Sequence, residues 1–91
     1  MPKYVIERQI PGLGQMTPDE LCGMAAKSNA VLEQLAPDVQ WVHSYVTADR
    51  LFCVYNATDE SQVREHARIG GFPCDHVRQV GAVIDPVTGE G

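Results

Sequence analysis

Three histidines and one awkwardly placed carboxylate carry most of the chemical potential of this chain. They are His43, His66, His76 and Glu7. Imidazole and carboxylate together suit nickel, zinc or iron. Glu7, His43 and His66 form the candidate metal set. No two of them have the short local spacing of a metal motif, so the fold must bring them together, from one copy or from two. His43 also suits a proton-shuttle or acid/base role. His66 falls near the end of a predicted helix, where a cation completes the helix dipole or the ring simply packs. His76, beside Asp75, reads as a solvated residue. Glu7 lies mid-strand, and a carboxylate buried there without a partner is costly. Arg8 projects to the opposite face of the strand. Any partner of Glu7 must therefore come from another strand.

Cys22, Cys53 and Cys74 are odd in number and lack a CxxC spacing, which argues against a disulfide framework and a thiolate zinc site. Cys53 is expected to pack as a small apolar residue. Gly12-Leu13-Gly14 lacks the third glycine and the trailing Lys-Ser/Thr of a phosphate loop. Four aromatics, Trp41, Tyr45, Phe52 and Tyr55, are candidates for a ligand pocket or a dimer face.

These residues are positioned by six predicted elements. Tyr4-Val5-Ile6 opens a short strand that Pro11-Gly12 stops. Thr17-Pro18-Asp19-Glu20 is a capping box with proline at the first helical position. Leu21, Met24, Ala25, Val31, Leu32 and Leu35 then recur at helical spacing, predicting a helix over 18–35. Strand two covers 40–47, and simple alternation puts Trp41, His43 and Tyr45 on one face. Strand three covers 50–56. A two-residue turn between them places Tyr45 opposite Phe52 and His43 opposite Val54. A second helix starts at Thr58-Asp59-Glu60 and stops at Gly70-Gly71, with Val63, His66, Ala67 and Gly70 on its inner face. Strand four is expected over 76–84.

The order β-α-β-β-α-β is that of the ferredoxin-like plait, an α+β fold. Right-handed crossovers give an antiparallel sheet in the order 4-1-3-2 with both helices on one face. The other face is left bare, and a second copy would cover its apolar groups, in an assembly like a dimeric α+β barrel. One domain is expected over 1–85 and a flexible tail over 86–91.

With 91 residues there is no room for a second domain. A chain of this size buries only roughly 60–65% of its unfolded surface, a further reason to expect a homodimer. The net charge of −5 opposes a phosphate backbone, so nucleic acid is not an expected partner. No apolar run is long enough to span a membrane. The start Met-Pro-Lys-Tyr lacks the pattern of a signal peptide, and the cytoplasm is the expected compartment.

The stretch Trp41-Val42-His43-Ser44-Tyr45-Val46-Thr47, with Phe52-Cys53-Val54-Tyr55, Arg64-Glu65-His66-Ala67 and Gly70-Gly71-Phe72-Pro73, resembles a family of small bacterial proteins of unknown function. One branch of that family is described as nickel-binding, ferredoxin-like and dimeric. The resemblance runs from Tyr4 to about Asp85. It implies a ligand role for His66, and nickel or another divalent transition metal as cofactor. Strand one of that branch bears a histidine where this chain has Glu7-Arg8-Gln9. Two other functions fit the residues. One is a monooxygenase- or isomerase-like enzyme with an aromatic or haem-like ligand among Trp41, Tyr45, Phe52 and Tyr55, and His43 as acid/base. The other is a ligand-sensing or interaction module without chemistry. The balance leans away from an enzyme.

Overall fold

Alternation of apolar and polar side chains decides the sheet. The computed structural model describes residues 1–91. Strand β1 (Lys3–Gln9) points Tyr4, Ile6 and Arg8 to one side, all three buried, while Val5 and Glu7 are half-buried on the other. Strand β3 (Arg50–Ala57) repeats this with Leu51, Cys53, Tyr55 and Ala57 inward. Cα pairing of Ile6 with Cys53 and Glu7 with Phe52 locks the two strands into one antiparallel register. β2 (Val39–Val46) lies outside β3, and β4 (His76–Gln79) lies outside β1. The sheet order is β2-β3-β1-β4, as the plait requires.

Helix α1 (Pro18–Leu35) begins as the capping box predicts. Thr17 Oγ1 accepts from the amide of Glu20, and the Glu20 carboxylate accepts from the amide of Thr17. Helix α2 (Glu60–Gly70) is capped by Asp59, whose carboxylate accepts from the amide of Gln62. It ends where Gly71 adopts φ 69°, a left-handed conformation that glycine takes without steric cost. Val63, His66, Ala67 and Gly70 are all buried, the inner face the periodicity predicts.

The core lies between the sheet and the two helices, built on Tyr4, Ile6, Val39, Leu51, Cys53, Tyr55 and Val63. The helices contribute unequally. α1 buries only Ser28 and Val31; Leu21, Met24, Ala25, Leu32 and Leu35 are half-buried. Its N-terminal half stands off the sheet and leaves a cavity described below.

Two elements differ from the sequence expectation. β4 ends at Gln79, not near Ile84, because its only neighbour is β1 and Val80 donates the last bond, to Lys3. Beyond it Val83 and Ile84 are exposed. In the tail, Asp85 caps a 3-10 turn over Pro86–Glu90.

The second difference is in β2. The hairpin has the expected register, with Tyr45 opposite Phe52 and His43 opposite Val54. Trp41, however, sits opposite Tyr55, so a β-bulge intervenes at Val42. The extra residue resets the alternation. Trp41 turns to the helix side with Ser44, to whose Oγ its indole N–H donates at 3.0 Å. His43 and Tyr45 remain on the bare side, ring centroids 5.0 Å apart.

Candidate functional site

The sheet separates the candidate residues into two groups. On the bare face, Glu7 is a direct cross-strand neighbour of Phe52 on β3 and of His76 on β4. Its carboxylate accepts a hydrogen bond from Arg50 at 2.6 Å, the partner from another strand that its position demands. Val5, Glu7, Phe52, His76 and Arg78 line a shallow pocket of about 210 Å³. His43 shares this face two strands away, on β2.

His66 lies on the other side. It is 1% exposed and held in place by α2 against Tyr55, ring centroids 5.2 Å apart. Its Nε2 meets Ser28 Oγ of α1 at 3.0 Å, and its Nδ1 has no partner. Burial, and then the positive charge of Arg8, depress its pKa from 6.5 to about 4, so the ring is neutral at pH 7. Glu7 and His43 therefore share a face that His66 does not reach. The sheet itself is the barrier.

The aromatics are divided in the same way. Trp41 and Tyr55 line the cavity on the helix side, whereas Tyr45 and Phe52 face outward. Burial and the neighbouring Cys53 push the Tyr55 hydroxyl up to about 12, so it stays protonated. The outward position of His43 separates it from the cavity and from the acid/base role a ligand there would ask of it.

Motif spacing does not single out Arg8. It is 2% exposed, yet it belongs to none of the ion pairs of the molecule. Its Nη1 donates to the carbonyl of Pro73, and its guanidinium lies 5.6 Å from the centroid of Phe72. Its Nη2 is buried without a partner. Phe72 is brought there by Gly70, because a methyl group at that position would fall inside the Phe72 ring. The signal was present in the alternation: Tyr4 and Ile6 face the core, and so must Arg8.

The cavity beside Arg8 has a volume of about 190 Å³. Leu21, Met24 and Ala25 of α1 form one wall, and Trp41, Leu51 and Tyr55 of the sheet form the other. Arg8 is the only charged side chain in its lining. Val46, also in the lining, is 46% exposed, so the cavity meets solvent there.

Fold and site define a ferredoxin-like domain, with a cavity on its helix side and nitrogen and oxygen side-chain atoms on its bare side. The family described as nickel responsive protein SCO4226-like matches residues 4–80, and the chain belongs to that family. The crystal structure of SCO4226 from Streptomyces coelicolor A3(2) has the same fold, with a TM-score of 0.76. That similarity covers 90% of this chain and 99% of the other at 14% identity. No curated protein matches significantly.

The family name raises nickel, whose divalent ion accepts imidazole and carboxylate donors. Within one copy, no three His, Cys, Asp or Glu side chains surround a common point. Glu7 and His76 supply two adjacent donors, and His43 is two strands distant. One chain alone does not close a coordination shell.

Proposed function

We propose that this chain is a homodimeric, cytoplasmic nickel-binding protein without catalytic activity, whose metal donors are drawn from the bare faces of two copies. The observation that carries this reading is the opposition of Glu7 and His76 on adjacent strands, in a member of a nickel-responsive family. Glu7 and His43 of the original candidate set remain donors, His76 joins them, and buried His66 is left to packing. The apolar strip on the same face favours a second copy as the cover. It includes Tyr45, 60% exposed, and the half-buried Phe52 and Val54.

Calorimetric titration of tag-free protein with Ni²⁺, paired with light scattering, tests the reading. The expected result is saturable binding by a dimer, a raised melting temperature, and weaker binding in Glu7→Gln and His76→Ala. A monomer with no heat and no melting shift at millimolar Ni²⁺ would remove it.

A further inference from the structure

We propose that the cavity between α1 and the sheet is a binding site for a small apolar carboxylate, with Arg8 as its anion anchor. Four observations meet there. The first is charge. A guanidinium stays protonated in proteins, and taking it out of water without a counter-charge is unfavourable. Arg8 is buried, has no carboxylate partner, only the protonated Tyr55 hydroxyl and the Cys53 thiol beside it, and carries an unused donor at Nη2. The second is preorganisation. Pro73 holds Nη1 and Phe72 lies against the guanidinium, so the fork does not need to be ordered on binding. Gly70 secures that arrangement by making room for the Phe72 ring.

The third is the rest of the lining. Apart from Arg8 it is largely apolar, so the ligand must be an acid at one end and hydrocarbon elsewhere. Ser28 and Ser44 are the small hydroxyls in that lining, but Ser28 already bonds His66 and Ser44 already bonds Trp41. Neither contributes an acidic counter-charge. The fourth is size. At about 190 Å³ the space exceeds the roughly 150 Å³ apolar cavity that accommodates benzene. An aromatic or branched aliphatic monocarboxylate of the size of benzoate fits, and a nucleotide or a haem does not.

This inference stands on the helix side of the sheet and does not depend on the nickel reading of the bare face. The probes are benzoate, its neutral counterpart benzyl alcohol, and inorganic phosphate, each titrated into metal-free full-length protein. Trp41 is the single tryptophan and lines the cavity, so its fluorescence reports occupancy directly. The expected result is a saturable change in Trp41 emission with benzoate, and a rise in melting temperature of roughly 5 °C at saturation. Benzyl alcohol should bind on the order of tenfold more weakly, because it cannot form a charge-assisted pair with Arg8. Arg8→Met should abolish the preference for benzoate over benzyl alcohol. An equal response to benzoate and benzyl alcohol in the unmutated protein would overturn the anchor, and this comparison needs no variant to fold. A response to phosphate matching that of benzoate would overturn the apolar half of the site. Absence of any change with benzoate would overturn the whole.

Discussion

Two buried side chains govern the interior of this molecule through their charge states. Arg8 is always charged, and without a ligand its Nη2 is uncompensated. Arg8→Met replaces it with a flexible apolar chain that can fill the same space. The usual sign for altering a buried residue should reverse here: the ligand-free variant is expected to gain about 1–2 kcal/mol in urea unfolding. His66 behaves oppositely, since it is neutral when folded. Its folded pKa of about 4 lies below the unfolded 6.5, so the unfolded chain takes up a proton that the folded chain refuses. Its contribution is complete above pH 6.5 and declines as the pH falls towards 4. Two and a half pH units correspond to about 3 kcal/mol. Urea unfolding between pH 7 and pH 5 should show the first part of that loss, and His66→Gln should flatten it. The sequence identified His66 as an inner-face residue through α2 periodicity. It could not reveal the neutral state, which burial in the folded core imposes first and the charge of Arg8, from a strand far earlier in the chain, imposes second.

Elements were legible wherever their signals are local. The capping box of α1, the glycine stop of α2 and the two-residue hairpin turn each involve a few adjacent residues, and each is present in the fold. The bulge in β2 was not legible, because alternation continues past Trp41 in the sequence while the backbone accommodates one extra residue. Its effect on the site is large: it puts Trp41 into the cavity and leaves His43 and Tyr45 outside. Deletion of Val42 should therefore regularise the strand rather than invert it. Trp41 and His43 would become consecutive and keep their opposite faces. The expected outcome is a folded protein with Trp41 emission still that of a buried indole and stability within about 1 kcal/mol of the parent. A red-shifted emission would show that the bulge does not determine the direction of Trp41. Gly70 tests the other end of the cavity. Gly70→Ala places a methyl in the Phe72 ring, and overpacking of this kind costs about 1–3 kcal/mol by thermal or urea unfolding.

At the scale of the whole molecule, the plait supplies one packed face and one bare face, and each answers a different need. The packed face is closed by α1 and α2, except where α1 stands away from Arg8. The bare face holds the exposed ring of Tyr45 and the half-buried Phe52 and Val54 beside Glu7, His43 and His76. No helix of the chain is long and apolar enough to cross a membrane, so a membrane-spanning helix does not account for these apolar groups. A second copy would cover them, and Tyr45 is the residue on which that idea can be tested without substituting a proposed donor, although its ring packs on His43. Tyr45→Lys keeps a long side chain at an exposed strand position but adds a charge that a face-to-face interface would have to desolvate. In light scattering the unmutated chain is expected to have the mass of a dimer, and Tyr45→Lys that of a monomer at the same concentration. Circular dichroism should remain that of a folded domain, since Tyr45 contributes nothing to the core between sheet and helices. If the metal shell spans two copies, the same variant should also lose Ni²⁺ affinity by at least about tenfold, although Tyr45 is not itself a donor. A variant that is monomeric yet binds Ni²⁺ as before would show that the donors of one chain suffice and that assembly and metal binding are separate properties.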